Sequence, residues 1–320
     1  MEDKLITHTD LDGISCGLIL METRGLKREN IEYLDYSNVD DRFTEFIDNK
    51  EYKNYNKVYI TDLSISDSVA KKIDKYTDNI ILIDHHKTSL FLNKYNWCQV
   101  TTERYDQPTC ATLLVSLAYP LSKTMNIFIE NIRRWDTWDW TKVEDGYKAK
   151  DLNNLLYILG RDKFIDLCIY NEFDIDKIIN DKFAKYIIEI DEENKKKYIE
   201  KKSKCGVEMK ISIPLNNLWR EYLVYVVCAD KYISELGNTI CKNNPEYDLC
   251  IMIDIDNKTL SYRNIKEDID CSAIAEYFNG GGHPRSSGSK FGYVSHADIY
   301  SSIFDEIMST YKGRYCNVYK

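Results

Sequence analysis

The chain has 320 residues, enough for about two domains at ~150 residues each, and its 43% hydrophobic and 12% aromatic content against 13 Gly and 5 Pro excludes a disordered or collagen-like polymer. With 43 basic and 52 acidic residues the net charge is −9, which argues against a broad basic surface that coats long nucleic acid. A compact anionic substrate stays open if cations are concentrated locally.

From Lys4 to Val100, short β-branched runs alternate with helix-length amphipathic segments. The runs are LIT at 5 to 7, IEYL at 31 to 34, KVYIT at 57 to 61, NIILI at 79 to 83 and WCQV at 97 to 100. The expected fold class is α/β: a parallel sheet flanked by helices at Ile14 to Thr23, Asp40 to Asn49 and Ser66 to Lys75, with Ser66 as an N-cap and Gly25 as a stop. Helices are expected at Pro108 to Ala118 and Lys123 to Trp135. After Gly146 the chain turns strongly helical and charged, ending in DEENKKKYIEKKSK at 191 to 204, read as a connector helix with a solvated face. A smaller α/β unit follows, with strands at 207 to 213, 222 to 228, 247 to 255 and 258 to 264, helices at Tyr232 to Lys242 and Ser272 to Phe278, and a final amphipathic helix after His296. The domains expected are therefore 1–140, a helical linker over 141–205, and 206–320.

The longest uninterrupted apolar run, Tyr222 to Ala229, is far shorter than the ~18 residues of a membrane span, and MEDKLITHTD carries no apolar signal stretch, so a cytoplasmic protein without membrane contact is expected. The ten Cys are scattered without a CxxC pair, which suggests reduced, buried thiols and no zinc knuckle.

Chemistry-bearing residues fall where strands end, the rim at which open α/β sheets bind ligands. The first strand runs into His8, Asp10 and Asp12, the third into Asp62, and the fourth into Asp84, His85 and His86; Asp136 follows a helix in RRWDTWDW. Alternation along an extended H-x-D-x-D segment would point one imidazole and two carboxylates to one side. Nitrogen and oxygen donors without thiolates favour Mn or a similar divalent ion. A carboxylate can bridge two ions, and Asp62 is the candidate bridge. Each piece alone has a plain alternative, an N-cap or Asx-turn for a lone Asp, a structural role for a lone His; the four together on one rim favour metal chemistry. Trp135, Trp138 and Trp140 are read as a packing shell around the turn in preference to a base-stacking platform.

HTDLDG, YITDLS, IDHHKTS and WDTW, in that order, resemble the four motifs of the DHH phosphoesterases, and GGGHPRSSG at 280 to 288 resembles the glycine signature of their DHHA1 substrate-binding domain. The first motif is similar to the HNDLDG form of the oligoribonuclease, NrnB-like branch. The resemblance covers nearly the whole chain. It implies that His8, Asp10 and Asp62 hold one metal and that Asp12, Asp62, His85 and Asp136 hold the other, two ions in all. Asp84 would orient an imidazole, and His86 would face the scissile phosphate. Asp139 is a competing ligand, ranked as structural. Gly280, Gly281, Gly282, His283, Arg285 and, on the preceding strand, Arg263 would grip the substrate. The glycines leave amides open to close approach. Ser286 and Ser287 stand where many relatives carry alanines, so added phosphate contacts or simple replacement both remain open.

The activity implied is Mn-dependent hydrolysis of very short oligonucleotides, dimers to pentamers, to mononucleotides, in a cleft whose two walls measure substrate length. Long duplexes are not expected as partners, and the protein is expected to be a monomer or homodimer. The rival readings are a 3′,5′-bisphosphate nucleotide phosphatase, a cyclic or linear dinucleotide phosphodiesterase and, outside enzymes, an inactive nucleotide-binding sensor. A soluble pyrophosphatase fits less well, because that branch resembles a different C-terminal domain.

Overall fold

The structure is a computed structural model and describes residues 1–35, 38–75, 79–215, 218–292, 295, 297–298 and 301–302. The chain separates into two compact units, Met1–Ile190 and Asp191–Lys320.

In the first unit, strands β1 (Lys4–His8), β2 (Ile31–Leu34), β3 (Val58–Thr61), β4 (Ile80–Asp84) and β5 (Cys98–Val100) form a five-stranded sheet in the order β2-β1-β3-β4-β5. Every pairing in it is parallel. Crossover helices cover both faces of such a sheet, which is why the central strands read as unbroken apolar runs. Leu5, Tyr59 and Ile83 face a core shared with α1 (Leu11–Arg24), while Ile6, Val58, Ile60 and Leu82 face the opposite core with α2 (Val39–Asp48) and α3 (Asp67–Asp74). The chain order reverses between β1 and β3, so a crevice opens at their carboxyl ends.

Local signals set the ends of these helices. Gly25 takes a left-handed φ of 65° and closes α1, and the Ser66 hydroxyl accepts from the Val69 amide at the start of α3. A two-stranded ribbon, β6 (Glu103–Arg104) and β7 (Gln107–Pro108), leads into α4 (Ala111–Ser116) and α5 (Lys123–Asp136). Three helices follow: α6 (Tyr147–Leu159), α7 (Arg161–Tyr170) and α8 (Ile175–Asn180). Leu152, Leu155, Phe164, Ile165 and Ile178 on them join the core that holds Leu5 and Leu11. Residues 141–190, read from sequence as part of a connector, thus bury an apolar face within the first unit.

Helix α9 (Lys182–Lys202) contains the boundary between the units. Most of its charged run is exposed, with Lys197–Glu193 and Lys204–Glu200 pairs at 3.4 and 3.0 Å. Lys195 departs from that face. It is buried and meets Glu192 at 3.1 Å and Glu235 at 3.3 Å.

The second unit is a six-stranded sheet in the order β12-β13-β11-β10-β9-β8. Its strands are β8 (Val207–Leu215), β9 (Leu218–Cys228), β10 (Leu249–Asp254), β11 (Thr259–Arg263), β12 (Gly281–His283) and β13 (Ser286–Lys290). Only β9 and β10 pair in parallel, joined by α10 (Ile233–Asn243); α11 (Cys271–Tyr277) covers the other face, against Tyr222, Val224 and Tyr262. The glycine signature forms a short edge strand hairpinned to β13. The final helix expected after His296 lies largely outside the described residues.

Candidate active site

The site begins at the carboxyl end of β1. His8 is the last residue of that strand and Asp10 caps α1, its carboxylate accepting from the Gly13 amide at 3.0 Å. Asp12 lies in the first helical turn. The single extended run expected to point His8, Asp10 and Asp12 to one side is therefore corrected: the chain turns into the α1 cap after His8, which leaves His8 and Asp10 grouped with Asp62, and Asp12 grouped with His85 and Asp136. The turn is tight because Gly13 sits on the His8 backbone, where an added Cβ would lie 2.4 Å from the His8 carbonyl oxygen. Buried hydroxyls brace it, Thr61 Oγ1 donating to Thr7 Oγ1 at 2.8 Å and Thr7 Oγ1 to the Gly13 carbonyl at 3.0 Å.

Asp12 is anchored to α4. Its two carboxylate oxygens accept from the Ala111 and Thr112 amides at 2.6 and 2.8 Å, while Thr112 Oγ1 donates to the Asp12 carbonyl at 2.7 Å. A helix start favours a carboxylate for its free amides and for its positive dipole end. Sequence reasoning missed Thr7, Thr61 and Thr112; the available signal was polar residues at strand ends and a helix start inside otherwise apolar runs.

Asp62, just past β3, is 1% exposed and has a left-handed φ of 55°. Its two oxygens face different imidazoles, Oδ1 lying 3.3 Å from His85 Nε2 and Oδ2 3.7 Å from His8 Nδ1. His8 Nδ1 also lies 3.1 Å from Asp10 Oδ2. Around His85 Nε2 stand Asp136 Oδ2 at 3.5 Å and Asp12 Oδ2 at 3.7 Å, with Asp136 the last residue of α5. Three groups that could hold a metal ion result, His8/Asp10/Asp62, Asp12/His85/Asp136 and Asp62/Asp84/His85/His86, each with donor atoms within 4.8 Å of one another. Fully buried Asp84 holds His86 Nδ1 at 2.7 Å.

The electrostatics of this cluster favour added positive charge. Burial, and then the charges of Asp10, Asp12 and Asp136, push the Asp62 carboxyl well above the usual range. Burial, with Asp12 and Asp10, pushes Asp136 up to about 9. Burial alone would raise Asp10 as well, but the His8 imidazole and the Gly13 amide hold it at about 2. Asp84 is likewise lowered against its burial, chiefly by His86, whose own value is raised by Asp84 in return, whereas burial lowers His85. The donor set fits divalent cations: carboxylates and imidazoles converge, and buried His85 Nε2 makes no hydrogen bond although three carboxylates stand within 3.7 Å. Burial raises the nearby Cys16 and Cys110 thiols well above their usual range, and neither belongs to the groups of donor atoms that could hold a metal ion.

Asp139 faces away into ion pairs, meeting Arg133 and Lys142 at 2.7 Å each. The rings of Trp135, Trp138 and Trp140 lie with centroids 5.6 to 6.1 Å apart; Trp135 packs on the core, while Trp138 is 60% exposed. A concavity of about 470 Å³ is lined by Val39, Asp40, Asp41, Ser64, Ile65, Ser66 and Phe91, residues that follow the carboxyl ends of β2, β3 and β4.

In the second unit Arg263 ends β11 and is held by Ser234 Oγ at 3.1 Å and the Tyr262 carbonyl at 2.9 Å. His283 and Arg285 are exposed, Arg285 donating to the Ile265 carbonyl. The three glycines serve different ends, which corrects the expectation that all clear space for a ligand. A Cβ at Gly280 would lie 2.1 Å from the Gly288 carbonyl oxygen, and one at Gly282, where φ is 140°, would lie 2.7 Å from that of Ser286. Strand proximity demands both. Only Gly281 is open, with nothing near an added Cβ. Ser287 Oγ donates internally to the His283 carbonyl at 2.7 Å.

No protein-family model matches the chain. The chain is 30% identical over 295 residues to oligoribonuclease NrnB of Bacillus subtilis, covering 89% of this chain and 71% of that protein. Among solved structures it is similar to RecJ from Thermus thermophilus in complex with Mn2+, with a TM-score of 0.53, 11% identity, and 98% of this chain and 52% of that chain covered. It is similar also to PggH, a pGpG-specific phosphodiesterase from Vibrio cholerae, with a TM-score of 0.51, 14% identity, and 97% and 99% covered. The structural likenesses show the fold, and the sequence relation shows the kinship: the chain belongs to the DHH/DHHA1 phosphoesterase family with the NrnB-like oligoribonucleases, hydrolases of phosphodiester bonds.

Proposed function

We propose that the protein hydrolyses very short oligonucleotides, dimers to pentamers, to mononucleotides, using two divalent ions, Mn foremost. His8, Asp10 and Asp62 would hold one ion, and Asp12, Asp62, His85 and Asp136 the other. The observation that carries this reading is the Asp62 carboxylate, whose oxygens face His85 Nε2 and His8 Nδ1 at 3.3 and 3.7 Å. When bound, the metals supply charge neutralisation at the phosphate and lower the pKa of a water towards neutrality.

The chain's own residues do the rest. The amides of Ala111 and Thr112 fix Asp12, and the cap at Gly13 fixes Asp10, so the ligands are placed before substrate arrives. Asp84 holds His86 at Nδ1 and orients the ring, which would face a phosphate oxygen as a donor; the raised basicity of His86 favours the protonated, donating form. The concavity beside β2 and β3 has the volume of a small-molecule pocket, in keeping with a short substrate. In the second unit Gly281, His283 and Arg285 offer an open amide and exposed donors for the substrate, with Arg263 beneath them in the same sheet. The net charge of −9 disfavours long polyanions.

The test is hydrolysis of 5′- and 3′-labelled dimers to decamers in Mn, beside adenosine 3′,5′-bisphosphate and a cyclic dinucleotide. The reading expects mononucleotide release that is fastest for dimers to pentamers. Inert dimers with rapid turnover of the bisphosphate or the cyclic dinucleotide would replace it with one of those activities. Nucleotide binding without any turnover would establish a sensor.

A further inference from the structure

The second unit's sheet ends on β8, which among the described residues pairs only with β9. An edge strand of this length is a template for another strand, and proteins usually blunt such edges with charge, proline or cover. On β8 the side chains of Val207, Met209, Ile211 and Ile213 share one face. Ile213 is buried in the core beneath α11, and Ile211 is half-buried against it. Towards the strand's start that face comes out from cover, leaving Val207 57% and Met209 47% exposed. Glu208, Lys210 and Ser212 alternate on the opposite face and are exposed.

This pattern is self-complementary. When two copies of a sheet continue side by side about a two-fold axis, residues of one face meet residues of the same face. Centring antiparallel β8 strands on Met209 places Met209 against its copy and Val207 against Ile211. The same register sets Glu208 of each copy opposite Lys210 of the other. Moving the centre one residue either way sets Glu208 against Glu208 or Lys210 against Lys210, a like-charge penalty. Pro214 has no amide hydrogen and lies beyond this pairing, which runs from Gly206 to Ser212. The contact Lys210 makes within its own chain, to Glu221 at 3.1 Å, joins two exposed groups and yields readily to a new partner.

We propose that β8 is a homodimerisation edge, on which a second copy of this chain adds its own β8 antiparallel, centred on Met209, to make one continuous sheet. The inference is independent of the catalytic reading, and the residues involved lie outside the candidate active site.

Analytical ultracentrifugation of the full chain from about 1 to about 100 µM should show a concentration-dependent monomer–dimer equilibrium. Met209→Lys, Glu208→Lys and Lys210→Glu should each weaken self-association roughly ten-fold or more, with circular dichroism confirming that each folds. The decisive comparison uses the charge variants together. A 1:1 mixture of Glu208→Lys and Lys210→Glu should dimerise where neither does alone, because every facing pair is again of opposite sign; the Glu208→Lys/Lys210→Glu double variant should regain the parent affinity. A parent chain that stays monomeric throughout, or a dimer that all three single substitutions leave unchanged, overturns the proposal.

Discussion

Asp62 concentrates the physics of the site. It is a buried carboxylate with three acidic neighbours, Asp10, Asp12 and Asp136, and a left-handed backbone, a costly placement in an isolated protein and a favourable one beside cations. Asp62→Ala should lower kcat in Mn by roughly a thousand-fold or more, measured on a dinucleotide, because it removes the group that faces both imidazoles. Arg285→Ala should instead raise KM with kcat nearly unchanged, if the exposed guanidinium binds ground and transition states alike. Equal loss of kcat in the two variants contradicts that division of labour. Gly13 has a purely steric role: Gly13→Ala drives a methyl group into the His8 carbonyl, and urea unfolding should show a loss of about 2 to 4 kcal/mol together with lost activity.

Among the elements, short α4 matters beyond its length. Its first amides donate to the Asp12 carboxylate, and its Thr112 hydroxyl donates to the Asp12 carbonyl, so a helix nearly a hundred residues downstream in the chain fixes a candidate metal-holding side chain on α1. Thr112→Val keeps the shape and deletes the hydroxyl; it should cost about 1 to 2 kcal/mol of stability and weaken Mn binding, read by denaturant unfolding and metal titration. The parallel strands were legible in sequence because both faces are covered and each strand is a compact apolar run between turn residues. The β12–β13 hairpin was not, because glycine and serine carry no hydrophobic alternation and their pairing is set by β11 beside them. The turn after His8 was misread for a related reason: H-x-D-x-D is equally compatible with a strand and with a strand that ends in a helix cap, and the close fit of Gly13 decides between them.

At the scale of the whole molecule, pH and metal act together. An acid whose folded pKa is raised destabilises the fold above its unfolded value, so stability is lost as pH rises towards the folded value. For Asp62 and Asp136, the latter at about 9, that window runs upwards from the ordinary carboxylate range, and raised His86 loses its contribution in the same direction. Lowered His85 opposes them only as acid approaches its unfolded value of about 6.5. The melting temperature of the EDTA-treated protein should therefore rise as pH is taken from about 8 to about 6.5. Saturating Mn should raise it further and flatten this dependence, since cations replace the missing positive charge. A metal-free melting temperature that is flat across this range contradicts the electrostatic account. No helix among the described residues is long and apolar enough to cross a membrane.

The sequence by itself determined the α/β class, the order of the parallel strands' elements and the identity of the acidic and imidazole groups at strand ends, since apolar periodicity and residue chemistry are local properties. Tertiary structure decided what those groups meet. It brought β1, β3 and β4 side by side, so that residues from 8 to 136 share one cluster, and it gave the oxygens of Asp12 to α4 and the two oxygens of Asp62 to different imidazoles. It also drew helices from 141–190 into the first unit's core and, among the described residues, left β8 paired on one side only. The physical reason is the same in each case: packing and parallel pairing join segments far apart in the chain, and no local window of residues contains the partner.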